Sequence, residues 1–253
     1  MAATRQDGPV DGQIFGAAGA GLLAGGALVV GAVIAWFVRV PGHVVAGVMA
    51  FGSGVLISAL AFDLVQEAEE SGGFLPTMAG FLSGAIVYVG LNLLLDWRDA
   101  RNRRGSGESP GTGTGIAVGA LLDGVPETAV LGLSMAAGSG LSIPVLAAVI
   151  ISNLPEGLAS TAELKKSGRP ARFVFSLWIG IAVACALSSL AGYLLLDGAP
   201  VEATSFVTAV AAGAILAMIC DTMIPEAFRD TKAFTGLLAV LGFFASFAIH
   251  AVS

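Results

Sequence analysis

The chain has 253 residues, 56% of them hydrophobic and only 12% charged, with a mean hydropathy of +0.87 and a net charge of -6. Soluble domains carry about 25% charged residues, so the composition excludes an ordinary water-soluble fold and predicts an all-α polytopic membrane protein. Cys185 and Cys220 both fall inside apolar runs, which argues against a disulfide framework and against a thiolate metal site.

Residues 1–13 are polar, and the first apolar run, about 14–38, is too long for the apolar core of a signal peptide and lacks an A-x-A cleavage site. It therefore reads as a span. Seven further runs follow, near 43–66, 74–96, 114–137, 141–163, 173–196, 204–227 and 233–251. At 1.5 Å per residue each can cross roughly 30 Å of hydrocarbon as a helix. The expectation is a single transmembrane domain, 1–253, of eight helices with both termini on one side. The 35 glycines agree, because Gly lets membrane helices approach at backbone distance.

The basic residues choose the side. With the N-terminus outside, eleven of the twelve Lys and Arg fall in cytoplasmic segments, from Arg39 through Arg98–Arg104, Lys165–Arg172 and Arg229 to Lys232, leaving only Arg5 outside. Positive charge retained on the cytoplasmic side is the expected pattern, so both termini are read as extracytoplasmic and the protein as a multi-pass cell (inner) membrane protein. Segment 99–113 is rich in Gly and Ser and predicts a mobile cytoplasmic loop. Its run Arg101–Arg104 reads as a topology signal rather than a lipid-headgroup or nucleic-acid patch, and no nucleic-acid partner is expected.

Polar residues inside the spans carry the chemistry. Two near-duplicate hexapeptides, Asp123-Gly124-Val125-Pro126-Glu127-Thr128 and Ser152-Asn153-Leu154-Pro155-Glu156-Gly157, lie in the fourth and fifth spans. Asp123 and Glu127 are four apart and share a helix face, as do Ser152 and Glu156. The tight loop near 138–140 makes the two helices antiparallel neighbours, with Glu127 roughly 16 Å and Glu156 roughly 24 Å from it at 1.5 Å per residue. Pro126 and Pro155 cannot donate an N–H, so the carbonyls of Leu122 and Ile151 lose their helical partners and become candidate oxygen ligands. Carboxylates facing one another in low dielectric need a proton or a cation between them. A divalent cation held by Asp123, Glu127, Glu156, the Asn153 amide and the Ser152 hydroxyl resolves the repulsion.

The seventh span repeats the theme in Asp221-Thr222-Met223-Ile224-Pro225-Glu226, with Asp221 deep and Glu226 close to Arg229. In the second span Asp63 and Glu67 form another i, i+4 pair near the outer surface, where they can attract cations. These four are candidate pathway residues. Met49, Ser53 and Asn92 are weaker ones, and packing is the simpler role for each.

The paired hexapeptides resemble the metal-binding motifs of the ZIP (Zrt/Irt-like) divalent-metal transporters, which read His-Asn-x-Pro-Glu-Gly in the fourth span and Gln/His-Asn-x-Pro-Glu-Gly in the fifth. The resemblance, to the bacterial type, extends to Phe51–Leu64 in the second span and Ala212–Glu226 in the seventh. It implies eight spans, extracytoplasmic termini, a basic linker between spans three and four, and often a homodimer. It also implies that Glu127 and Glu156 bridge the metal, with Asn153, Ser152 and Asp123 at further ligand positions and Asp221 on the pathway. The site diverges, however. Asp123 stands for the family's histidine, Gly124 for its asparagine and Thr128 for its glycine, and Ser188-Ser189 occupies the sixth span where many members have Glu-Pro.

These departures predict one metal site rather than two, with oxygen ligands only. Such a set shifts preference from Zn²⁺ toward Mn²⁺, Mg²⁺ or Fe²⁺, although carboxylates also bind Zn²⁺ and Cd²⁺. The function expected is transport of divalent metal cations, the ion being substrate and no prosthetic group being required. The alternative is a transport-inactive homologue acting as a metal sensor or interaction protein. An intramembrane enzyme fits poorly, since the two histidines, His43 and His250, lie only at span ends and neither Asp123 nor Asp221 follows a glycine as in an intramembrane aspartyl protease.

Overall fold

The computed structural model describes residues 10–106, 113–137 and 140–251, and every regular element among them is helical. The helices are α1 (Val10–Phe37), α2 (Gly42–Ala59), α3 (Gln66–Gly72), α4 (Phe74–Ser106), α5 (Gly113–Ala136), α6 (Ile143–Lys166), α7 (Ala171–Leu196), α8 (Val201–Met218), α9 (Ile224–Thr231) and α10 (Phe234–His250). A π-helical turn, Leu60–Val65, joins α2 to α3, and a second, Ile219–Met223, joins α8 to α9. Each pair therefore runs as one apolar rod of 31 residues, Gly42–Gly72 and Val201–Thr231.

Glycine and proline set the helix boundaries. Gly168 and Gly198 adopt positive φ, +78° and +76°, and two residues later Pro170 and Pro200 cap the next helix. Glycine enters this left-handed conformation without steric cost, while proline's missing N–H and fixed φ suit a helix start. At the start of α6 the Ser142 hydroxyl accepts a hydrogen bond from the Val145 N–H at 3.3 Å.

Seven rods are long and apolar enough to cross a membrane, and α10, with 17 residues, falls short of the length usual for a span. Their outward faces carry large apolar side chains, such as Leu82, Ile86 and Leu93 on α4 and Val240, Leu241 and Phe244 on α10. A helix that is apolar on its outer face as well as its inner one belongs in lipid. The chain is a multi-pass helical membrane protein. One expectation changes here. Residues 99–106 continue α4 as helix instead of opening the predicted 99–113 loop, and 107–112 lie outside the described residues.

The helices pack in two groups. One comprises α1, α5, α6 and α7; the other comprises the α2–α3 rod, α4, the α8–α9 rod and α10. Inside each group glycines set the spacing. A Cβ on Gly132 of α5 would collide with the Ser189 carbonyl oxygen of α7, and one on Gly157 of α6 with the Leu28 carbonyl of α1. Gly84 meets Val210 across α4 and α8, and Gly54 meets Ala239 across α2 and α10, in the same way. Backbones this close gain dispersion where no hydrophobic effect operates. The groups meet where α2 lies along α6 and α5 along α8.

Candidate metal site

Both prolines of the hexapeptides sit inside unbroken helices. The α5 backbone around Pro126 is supported from the side. Thr128 Oγ1 donates to the Gly124 carbonyl at 2.7 Å, and Ser188 Oγ of α7 donates to the Val125 carbonyl at 2.7 Å. Ser188 thus braces α5 beside Pro126. In α6 the Ile151 carbonyl lies against Gly52 of α2, 3.4 Å from where a Cβ would stand. Neither Leu122 nor Ile151 lines the central cavity, so the freed carbonyls are not turned to it. Leu122 and Glu127 are five residues apart, about 140° around a helix at roughly 100° per residue, which separates the carbonyl's residue from the carboxylate's face.

A cavity of about 20 Å³ lies where the two groups meet. From α5 and α6 it receives Asp123, Glu127, Ser152 and Glu156; from the α8–α9 rod it receives Thr222 and Glu226. The thioethers of Met49, Met218 and Met223 complete the lining. Glu127 and Ser152 are each 2% exposed, and Ser152 Oγ lies 3.4 Å from both carboxylate oxygens of Glu127 and 3.0 Å from the Val149 carbonyl. Four acidic side chains thus face one small space, Glu127 buried, Asp123 and Glu156 partly so, and Glu226 exposed. Among the described residues no three His, Cys, Asp or Glu side chains are drawn together as closely as a bound ion would require. The carboxylates surround a volume instead of converging on a point, and each like charge favours a cation at its centre.

Asn153 behaves differently from the expectation. It is fully buried, its Nδ2 donates to the Ala24 carbonyl of α1 at 2.9 Å, and it does not line the cavity. One residue beyond Ser152 is about 100° around the helix, so the amide faces the α1 seam while the hydroxyl faces the carboxylates. Its Oδ1 has no hydrogen-bond partner among the described residues.

The seventh-span expectation is corrected by its π turn. Met218, Thr222 and Glu226 line the cavity at intervals of four, whereas Asp221 is exposed and does not. A π turn holds one residue more than an α turn and shifts the phase of everything after it. In the second span Asp63, within the other π turn, meets His250 of α10, Oδ1 to Nδ1 at 3.1 Å, with the Phe62 ring stacked 5.5 Å from the imidazole. Asp63 and Glu67 line neither the cavity nor the vestibule described below, and Ser53 Oγ is spent on the Ala50 carbonyl at 2.7 Å. Asn92 lines neither as well.

Two features escaped the sequence reading. Tyr88 of α4, 4% exposed, donates its hydroxyl hydrogen to Asp123 Oδ1 at 3.0 Å and lies 3.3 Å from Thr222 Oγ1. A phenol in mid-span, as one of only two tyrosines, was the available signal. Of the methionines Met49 was a weak candidate, while Met218 and Met223 gave no signal, because Met at helical spacing usually means packing.

A second, larger cavity of about 760 Å³ opens beside the first, and Met49 and Glu226 line both. Its far wall carries Arg39, Glu163, Lys165, Lys166 and Asp230, contributed by three separate helix ends. Lys165 Nζ donates to the Trp36 carbonyl and lies 5.3 Å from the centroid of the Trp36 ring. The vestibule therefore opens at the basic end of the bundle.

Fold and site together define a multi-pass α-helical membrane protein with a small acidic cavity beside a larger vestibule. No protein-family model matches the chain. A protein of Arabidopsis thaliana named "Putative zinc transporter" is 26% identical over 183 residues, which is 71% of this chain and 29% of that protein. The match thus spans under a third of the relative's length.

Proposed function

We propose that this protein carries divalent metal cations across its membrane by way of the 20 Å³ cavity between the two helix groups. The observation that carries the reading is the meeting of Asp123, Glu127, Glu156 and Glu226 around a space of single-ion size beside an open vestibule, Met49 and Glu226 lining both. Ionisable side chains at membrane depth are costly and mark ion pathways. The similarity to a protein named as a zinc transporter supports the same reading, as does the ZIP-like pair of hexapeptides. On this reading the ion is the substrate, the ligands are Asp123, Glu127, Ser152 and Glu156, and Glu226 is the step toward the vestibule. The basic end faces the cytoplasm, α10 is the eighth span, both termini lie outside, and the resemblance adds a homodimer. Relative movement of the two helix groups would expose the cavity to either side in turn.

The donor set revises the expected preference. Three thioethers line the cavity beside the oxygens, and thioethers favour softer ions. Zn²⁺ and Cd²⁺ therefore join Mn²⁺ and Fe²⁺ as substrates of comparable standing. Protons compete for the same carboxylates, so uptake falls as the medium is acidified. The test is uptake into proteoliposomes. Glu127→Ala combined with Glu156→Ala should reduce flux of every tested divalent ion to the protein-free level; unchanged flux refutes the proposal. Equilibrium binding by the native chain without flux would assign it instead to metal sensing.

A further inference from the structure

Side-chain hydrogen bonds between helices sort by group. Asn153 to Ala24, Trp178 to Thr161, Ser188 to Val125 and Tyr193 to Gln13 all stay within α1, α5, α6 and α7. Asp63 with His250 and Tyr88 with Thr222 stay within the other group. Tyr88 to Asp123 crosses from one group to the other.

The protons in this crossing contact have a definite order. A carboxylate offers only lone pairs, and a phenol has one hydrogen. With that hydrogen on Asp123 Oδ1, Thr222 must donate to the Tyr88 oxygen, which gives a directed chain from Thr222 through Tyr88 to Asp123. Asp123 and Thr222 line the cavity but Tyr88 does not. The phenol therefore reaches the carboxylate from outside the site and leaves Oδ2 for a cation.

From this geometry, and resting on the transport reading above, we propose that Tyr88 is a positioning residue for the cation site. It fixes the Asp123 carboxylate as a ligand, and it does so from the opposite helix group. Asp123 is thus held only while the two groups stand as they do here, and the site's affinity depends on their arrangement. Groups that hydrogen-bond a ligating carboxylate typically change metal affinity by about 10- to 100-fold when removed.

The experiment is a double-mutant cycle on the full chain, read by equilibrium binding of Mn²⁺ and Zn²⁺ chloride and by uptake in proteoliposomes. Tyr88→Phe should weaken binding of both ions by about tenfold or more, raise KM in parallel and leave kcat undiminished. In an Asp123→Asn background the same substitution should have no further effect, since a positioning role acts through Asp123 alone. A purely structural tyrosine would give additive losses, and additivity overturns the proposal. So does unchanged or tighter binding, or a fall in kcat at constant KM. If Tyr88→Phe does not purify as a folded protein, Thr222→Val carries the same cycle, and its effect must shrink when Asp123 is Asn; an unreduced effect overturns the proposal. A native chain that binds neither ion refutes the transport reading and this inference with it. Native binding with an additive cycle refutes only the role of Tyr88.

Discussion

Gly132 and Gly52 mark two kinds of seam. Inside a helix group, a Cβ on Gly132 would overlap the Ser189 carbonyl, and Gly157, Gly84 and Gly54 stand in equally tight places. Between the groups, a Cβ on Gly52 would sit at ordinary contact distance, 3.4 Å, from the Ile151 oxygen and the Ser152 Cα. The polar contacts divide in the same way, with Tyr88 to Asp123 crossing a boundary that the other named inter-helix bonds respect. A protein that locks backbones together within each group and leaves room between them has rigid parts and one surface along which they can shift. The acidic cavity lies on that surface.

Substitutions that fill the seams should separate the two kinds most sharply. Gly132→Val should abolish the folded protein, seen as loss of the monodisperse peak in size-exclusion chromatography, because backbone on both sides cannot yield. Gly52→Ala should keep the fold, at a cost within about 1 kcal/mol in thermal or denaturant melts. Equal damage from both would erase the distinction. Next in size, Glu226→Gln should lower uptake about tenfold by removing a charge that concentrates cations at the threshold, while Asp221→Asn stays within about twofold by the same reasoning. A reversal of that order would mean the π turn does not set which acid faces inward. Smallest, Asp123→His should raise the ratio of Zn²⁺ to Mn²⁺ uptake severalfold, measured by isotope competition. A fixed ratio would mean that the methionines, rather than this position, govern selectivity.

Much of the architecture was legible because helices in lipid announce themselves by length and apolarity. The first seven spans followed from these alone, whereas α5 and α6, expected as neighbours, pack mainly against α7 and α1 respectively. Within the site, Asp123, Glu127, Ser152 and Glu156 were legible because spacing of four holds through an α-helix even past a proline. Asn153 was misread because an amide beside a ligand position says nothing about which seam it faces. Asp221 was misread because a π turn leaves no mark in composition, yet it rotates Thr222 inward and Asp221 outward. Tyr88 stood out as a mid-span phenol, but no spacing rule tied it to Asp123. Its partner is 35 residues away on α5, and the packing of both α4 and α5 against α8 brings them together.

The two adjoining cavities differ in volume by more than an order of magnitude, about 760 Å³ against about 20 Å³. The larger can hold a cation with its full hydration shell. The smaller has room for about one water-sized body. On the proposed transport reading, Met49 and Glu226 mark the place where an ion would shed its water, with carboxylate and hydroxyl oxygens taking over from the lost shell. Ions differ widely in how readily they do this, and Mg²⁺ dehydrates reluctantly. On that reading, reluctance to dehydrate would select against Mg²⁺, one of the ions expected from the oxygen donors alone.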